Sequence, residues 1–222
     1  MYKHFLKRVI DFLLAFLGIL LSSPFWIITI IGILINDFGP IFYYSARIGK
    51  NNKEFKMIKF RSMRVVKDDD ESSLRPDQER IFFVGKVIRK LKIDELPQLL
   101  NILVGHMAIV GPRPVAKHQM DIFRVGQYEE TKTVRPGLTG PAALYDYIYG
   151  DQFEDSDIEK YKTEVLPKRR ELELTYIKKY GFLFDVAMFF DTAWCVICRL
   201  FRKTPKKLLN KLLTLSEYEK EK

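Results

Sequence analysis

The feature that most constrains this chain lies near its start. From Phe12 to Asn36 there is no charged residue, and most positions are Ile, Leu, Phe or Val. A straight helix over this run would reach about 37 Å, enough to cross a hydrocarbon core of about 30 Å. The run is too long for a secretory signal, and no small-residue cleavage site follows it. Two details oppose a plain spanning helix. Ser22–Ser23–Pro24 sits in the middle, and proline removes a backbone donor and crowds the preceding turn, so a break or kink is expected there. Lys3, Lys7 and Arg8 precede the run, and Arg47, Lys50, Lys53 and Lys56 follow it. Basic flanks favour the cytoplasm. A helix-break-helix hairpin keeps both flanks on that side, whereas a kinked spanning helix separates them. The residues alone leave both readings open.

The 222 residues suffice for one domain of moderate size plus a membrane element. Lys and Arg number 37 against 28 Asp and Glu, a net charge of +9. That excess points to anionic partners: lipid head groups, nucleotide phosphates or nucleic acid. A second apolar segment, Phe182 to Phe201, is interrupted by Asp185, Asp191 and Arg199. Those charges make spanning costly, so an interfacial helix with Trp194 near the head groups is expected. Past Pro205, Leu208, Leu209, Leu212 and Leu213 recur at helical spacing beside Lys206, Lys207 and Lys211. This basic amphipathic pattern suits anionic lipid, with a core helix and solvated tail as the alternative. Cys195 and Cys198 lie in an apolar run with no second ligand pair, which predicts structural thiols rather than a zinc site. His4, His106 and His118 share no metal-ligand spacing.

Between these segments, Glu54 to Arg64 alternates like a strand, with Ile58 and Phe60 on one face and Lys59 and Arg61 on the other. Two cations on one strand face could grip a phosphate, although a solvated basic face is the plainer reading. Lys67 to Asp77 reads as an acidic surface loop. Val84, Val87, Ile88 and Leu91 mark a helix, and Leu96, Leu99, Leu100 and Leu103 a second. Asp94 and Glu95 open the second helix, and Pro97 fits its first turn. Taken alone, acidic residues there are ordinary helix caps. A short apolar run, His106 to Val110, ends at Gly111–Pro112–Arg113–Pro114, and a further turn is Arg135–Pro136–Gly137–Leu138–Thr139–Gly140–Pro141. Each displays an Arg. Asp151 to Glu164 is an acidic surface helix or loop, and Lys168 to Lys179 a mixed-charge amphipathic helix. There is no internal repeat, P-loop or GxGxxG, nor the aromatic-basic interleaving of a nucleic-acid surface.

The ordered set is more specific than its parts: a broken apolar segment with Ser23–Pro24, KFRSM at Lys59 to Met63, Arg89, IDELPQLLNIL from Ile93 to Leu103, VGPRP from Val110 to Pro114, and RPGLTG from Arg135 to Gly140. It resembles the bacterial sugar transferases known as monotopic phosphoglycosyl transferases, over roughly Met1 to Arg202. The resemblance implies an α/β fold, mostly helical with short strands. It implies a re-entrant anchor over 1–40, a catalytic domain with interfacial helices over 41–205, and a basic amphipathic tail over 206–222. It also implies the small single-domain form, at the cytoplasmic face of the bacterial inner membrane. The partners implied are a UDP-sugar, undecaprenyl or another polyprenyl phosphate, and anionic lipids, with no nucleic acid. Asp94 would be the nucleophile and Glu95 the ligand of Mg²⁺. Lys59, Arg61, Arg89 and Arg113 would bind phosphate, and Arg135 joins them as a candidate. Many family members carry Trp-Ala-Gln-Val where this chain has Pro141–Ala142–Ala143–Leu144. That departure bears on the local loop and on donor preference. Two rivals remain at this stage: a non-enzymatic basic membrane adaptor, and a glycosyltransferase that moves only the sugar and releases UDP.

Overall fold

The uncharged run folds, with its basic preface, into one helix, α1 (Lys7–Asn36), in a computed structural model that describes residues 2–65, 80–149, 161–201 and 203–217. The acidic loop expected from Lys67 to Asp77, and most of Asp151 to Glu164, lie outside the described residues. Pro24 stays inside α1. It cannot donate to the Leu20 carbonyl one turn back. Ser23 Oγ donates to that carbonyl instead, at 2.8 Å, and the Ser22 hydroxyl accepts from Trp26 Nε1 at 3.1 Å. The expected break therefore does not interrupt the helix, because a neighbouring hydroxyl replaces the missing backbone donor.

One side of α1 rests on the rest of the molecule along its length. Arg8 donates to the carbonyls of Ile102 and Leu103, both at 2.6 Å, and Asp11 Oδ1 accepts from the Ile109 amide at 3.1 Å. Trp26 packs edge-on against Phe60, and Ile33 is fully buried with Phe60, Phe82 and Ile88. Just past the C-terminal end, Asp37 pairs with Arg61. The opposite side leaves Leu13, Leu17, Leu21, Phe25, Ile28 and Ile35 exposed.

Strands β1 (Phe42–Ile48) and β2 (Glu54–Phe60) form an antiparallel hairpin whose connection holds Asn51 and Asn52 at positive φ. Asn tolerates that region better than most residues do. The pleat puts Phe55, Met57 and Lys59 on one face and Ile58 and Phe60 on the other. Helix α2 (Phe83–Lys90) follows, then a 3₁₀ turn at Ile93–Glu95 and α3 (Gln98–Leu103). Short strands β3 (Ala108–Val110) and β4 (Gly137–Thr139) pair in parallel, with α4 (Met120–Phe123) between them in sequence. Helix α5 (Pro141–Ile148) opens on a proline at its first turn, where no donor is needed. The architecture is mostly helical with short strands, as the sequence implied.

The C-terminal helices correct one reading and extend another. In α7 (Phe182–Leu200), which follows α6 (Leu166–Lys179), all three interrupting charges are paired within the protein. Asp185 accepts from Lys7 Nζ and the Tyr2 hydroxyl, each at 2.5 Å, and Arg199 donates to the Tyr147 carbonyl at 2.9 Å. Asp191 pairs with Lys211 at 2.6 Å. The outer face keeps Leu183, Phe190, Trp194 and Phe201 exposed. Cys195 and Cys198 are free and buried. Helix α8 (Lys206–Glu217) turns its leucine stripe the other way from that expected of a lipid-facing tail. Leu208 and Leu212 are buried in the main core, against α5 and α6. Periodicity marks an apolar face without saying what covers it.

Candidate active site

Three pieces of backbone bring the polar residues together. The first is β2, whose pleat aims Lys59 away from the Phe60 cluster. The second is the turn after α2. Lys92 adopts a left-handed conformation (φ 56°), which reverses the chain and presents Asp94 and Glu95 on the single 3₁₀ turn. Non-glycine residues rarely accept that region, so the turn is held from outside. Asn101 supplies one hold: its Oδ1 accepts from the Ile58 amide at 2.9 Å and its Nδ2 donates to the Lys56 carbonyl at 2.8 Å. Both bonds clamp α3, and the dyad before it, onto β2.

The third piece is the pair of Gly–Pro turns. They lie against each other, backbone to backbone. Gly111 donates to the Thr139 carbonyl at 2.9 Å, and Gly137 to the Pro112 carbonyl at 2.7 Å. A Cβ on Gly137 would stand 2.1 Å from the Gly111 amide nitrogen, and one on Gly140 2.4 Å from the Gly111 carbonyl oxygen. These glycines serve close approach, not unusual dihedrals. The contact fixes Arg113 beside the dyad.

The resulting cleft, of about 230 Å³, is lined by Lys59, Glu95, Gln98, Arg113, Arg47 and Arg169, with Ala143 and Leu138 among the apolar contributors. Lys59 Nζ donates to Glu95 Oε1 at 3.0 Å. Arg113 lies 3.5 Å from the Asp146 carboxylate and is partly exposed. Asp94 is buried beside the cleft rather than among its lining residues, and its Oδ1 has no hydrogen-bond partner.

The two adjacent carboxyls are driven apart. Burial, then the charge of Glu95, pushes Asp94 up to about 6, against the pull of Lys59, Lys92 and Arg89. Desolvation also raises Glu95, but Lys59, Lys92 and Arg113 outweigh it and bring the group down to about 2. At neutral pH both are ionised. Asp94 is the more basic and the less solvated, which suits a nucleophile; Glu95 is a fixed anion facing the cleft. Divergent pKa values in neighbouring groups mark a division of roles.

Residues 2–199 match the profile of a family described as Bacterial sugar transferase. The chain belongs to that family. Relatives of this bacterial sugar transferase include the UDP-N-acetylgalactosamine-undecaprenyl-phosphate N-acetylgalactosaminephosphotransferase of Aeromonas hydrophila. It is 36% identical over 191 residues, covering 85% of this chain and 43% of that protein. The UDP-glucose:undecaprenyl-phosphate glucose-1-phosphate transferase of Escherichia coli K12 is 35% identical over 195 residues, 86% of this chain and 40% of that one. The exopolysaccharide production protein ExoY of Sinorhizobium fredii is 34% identical over 202 residues, 84% and 83% of the two chains. This sugar transferase thus spans about two-fifths of the first two relatives and most of the third.

The geometry separates the basic residues that the sequence grouped. Lys59 and Arg113 line the cleft. Arg89 is exposed on α2, with its charge acting on Asp94. Arg61 is elsewhere: β2 ends at Phe60, and the buried guanidinium beyond it binds Asp37 and the Pro40 carbonyl, tying the end of α1 to the hairpin. Arg135 lines no part of the cleft, and its Nε donates to the Gly105 carbonyl at 2.8 Å. Conversely, the cleft contains Arg47, Gln98, Gln119 and Arg169, which sequence reasoning did not single out. The alternation of β1 and the Asn51–Asn52 turn could have placed Arg47 across from Phe55. Nothing local marks Arg169.

Proposed function

We propose that this chain transfers a sugar 1-phosphate from a UDP-sugar to a polyprenyl phosphate such as undecaprenyl phosphate, through a covalent intermediate on Asp94. The observation that carries this reading is the Asp94–Glu95 pair: a buried carboxylate with an unpartnered oxygen beside a cleft edged with cations. The relatives' names support the substrate classes.

In the first step an Asp94 oxygen attacks the sugar-bearing phosphorus. The bond from that phosphorus to the bridging oxygen breaks, and UMP leaves with its electron pair. In the second step a phosphate oxygen of the polyprenyl phosphate attacks the same phosphorus and frees the Asp94 carboxylate, giving a polyprenyl diphosphate sugar. The covalent route divides one transfer into two. Lys59 and Arg113 orient the phosphates and offset their charge. Release of UMP, rather than UDP, on mixing with UDP-sugars and polyprenyl phosphate tests the reading; UDP release would point to the sugar-only transferase.

The donor set suits Mg²⁺ held jointly with substrate. No group of three or more His, Cys, Asp or Glu that could hold a metal occurs among the described residues. Mg²⁺ commonly takes one or two carboxylates plus phosphate oxygens and water. Glu95, ionised and facing the cleft, would hold it. Bound there, the ion would neutralise charge on the diphosphate and favour the departing nucleotide. Glu95→Gln keeps the shape and loses the charge. It is expected to raise the Mg²⁺ concentration for half-maximal UMP release by roughly tenfold or more. An unchanged Mg²⁺ titration would remove Glu95 as the ligand.

The reading places the domain at the cytoplasmic face of the bacterial inner membrane, with α1 re-entrant through a bend at Pro24 that leaves the helix continuous. Support comes from the way both ends of α1 grip the same domain, Lys7 through Asp185 and Asp37 through Arg61. Tyr2, just before α1, meets Phe182 at the start of α7 edge-on, at 5.9 Å, and the exposed apolar side chains of both helices would enter the lipid. Each large apolar side chain moved from water into lipid there contributes about 1.5–3 kcal/mol. Single-cysteine labels near Tyr2 and Lys50 are expected to react from the same side of sealed vesicles. Opposite sides would mean that α1 spans.

A further inference from the structure

We propose that Arg47 binds the phosphate monoester lying across the reacting phosphorus from Asp94: the departing nucleotide first, and then the phosphate of the lipid acceptor. This rests on the proposed function above and names a residue outside the sequence motifs.

Arg47 pairs in register with Phe55, four positions from Lys59 along β2, so the two side chains leave the hairpin about 13 Å apart at the backbone. Lys59 and Glu95 mark the nucleophile's end of the cleft, and Arg47 and Arg169 line it as well. Arg113 lies close enough to both ends to act on the charge of Glu95 and on that of Arg47.

The three guanidinium groups are not equivalent. Arg169 donates to the Tyr161 hydroxyl at 2.8 Å, approaches Asp146 at 3.5 Å and stacks on Phe123. Arg113 has Asp146 as well. Arg47 has no ion pair or side-chain hydrogen bond among the described residues; its Nε, like that of Arg169, is buried without a partner, but its guanidinium has no other anchor. Burial and then Arg113, with a smaller push from Arg169, destabilise its charged form, and Tyr43 offsets them only in part. An unsatisfied buried donor facing like charges opposes folding. A ligand that supplies the missing anion would relieve that cost, and a phosphate dianion matches a guanidinium fork.

In-line displacement then selects which phosphate. The sugar-bearing phosphorus must meet Asp94. The leaving oxygen departs on the opposite side, and the next attacking oxygen arrives there. Nucleotide and acceptor would therefore use one subsite in turn.

The test is equilibrium binding to the full chain in nanodiscs, with UMP, uridine and farnesyl phosphate as probes, for the unmodified protein, Arg47→Gln and Arg47→Lys. Arg47→Gln is expected to weaken UMP by about tenfold to a hundredfold, with uridine unchanged and the melting temperature unchanged or raised. Arg47→Lys should recover part of the loss. A matching loss for farnesyl phosphate assigns the subsite to both substrates in turn; a loss for one ligand alone assigns it to that ligand's phosphate. Affinities for both phosphates within about twofold of the unmodified protein would overturn the proposal. So would parallel losses for UMP and uridine with a lowered melting temperature, which would make Arg47 structural. An unmodified chain that binds neither phosphate also overturns it. Binding needs no turnover, so a chain that binds UMP through Arg47 yet releases UDP from its donor would sink the proposed reaction and leave the phosphate subsite standing.

Discussion

Asp94→Asn is expected to abolish transfer while leaving the fold intact. A neutral amide is a poor nucleophile and cannot give an acyl phosphate. Loss of a nucleophile that works in concert with its neighbours lowers turnover by at least about a thousandfold. Stability should move little, or rise. Asp94 is buried, its Oδ1 lacks a partner and its pKa is raised, so the ionised form costs folding energy at neutral pH. The sign follows from that shift. The folded protein holds the proton more tightly than the unfolded chain, so this carboxylate's destabilising contribution grows as pH rises through the unfolded value and is fully present above about 6. Asn removes that charge. Steady-state UMP release and thermal melts on the same preparation check both halves. A loss of activity accompanied by a large drop in melting temperature would attribute the effect to folding.

Gly137→Ala is expected to have the largest effect on stability. The new methyl would lie 2.1 Å from the Gly111 amide nitrogen and 2.5 Å from the Thr139 carbonyl oxygen, all backbone. Neither neighbour can swing away as a side-chain tip would. The pair β3–β4 must separate, which costs several kcal/mol and lowers the melting temperature by about 10 °C or more. Gly181→Ala is the matched control. Its φ of −170° is ordinary extended backbone and a Cβ there meets nothing within 4 Å. A tolerated Gly137→Ala in the melting assay would contradict the tight pairing of the two Gly–Pro turns.

Some of this was legible from residues and some was not. The helix of the uncharged run, the dyad before a leucine-periodic helix and the two Gly–Pro turns follow from local rules of hydrophobicity, periodicity and turn chemistry. The uninterrupted α1 does not, because counting only the donor lost at Pro24 omits the Ser23 hydroxyl that reaches the same carbonyl. Arg61 was grouped with Lys59 by alternation, yet its place is decided by Asp37, more than twenty positions away in sequence. Arg47 on the hairpin and Arg169 on α6 come to one cleft only in the folded chain. Leu208 and Leu212 announced an amphipathic helix correctly but not its partner, since the same stripe fits lipid or core. In each case the missing information is long-range: which element lies opposite.

Intact-protein mass spectrometry after rapid quenching with UDP-sugar alone would reveal a covalent phosphosugar on Asp94. The expected result is UMP in solution and a protein heavier by one phosphosugar, discharged on adding polyprenyl phosphate and absent from Asp94→Asn. An adduct that persists in Asp94→Asn would contradict it, as would transfer that proceeds only through a ternary complex of protein, donor and acceptor.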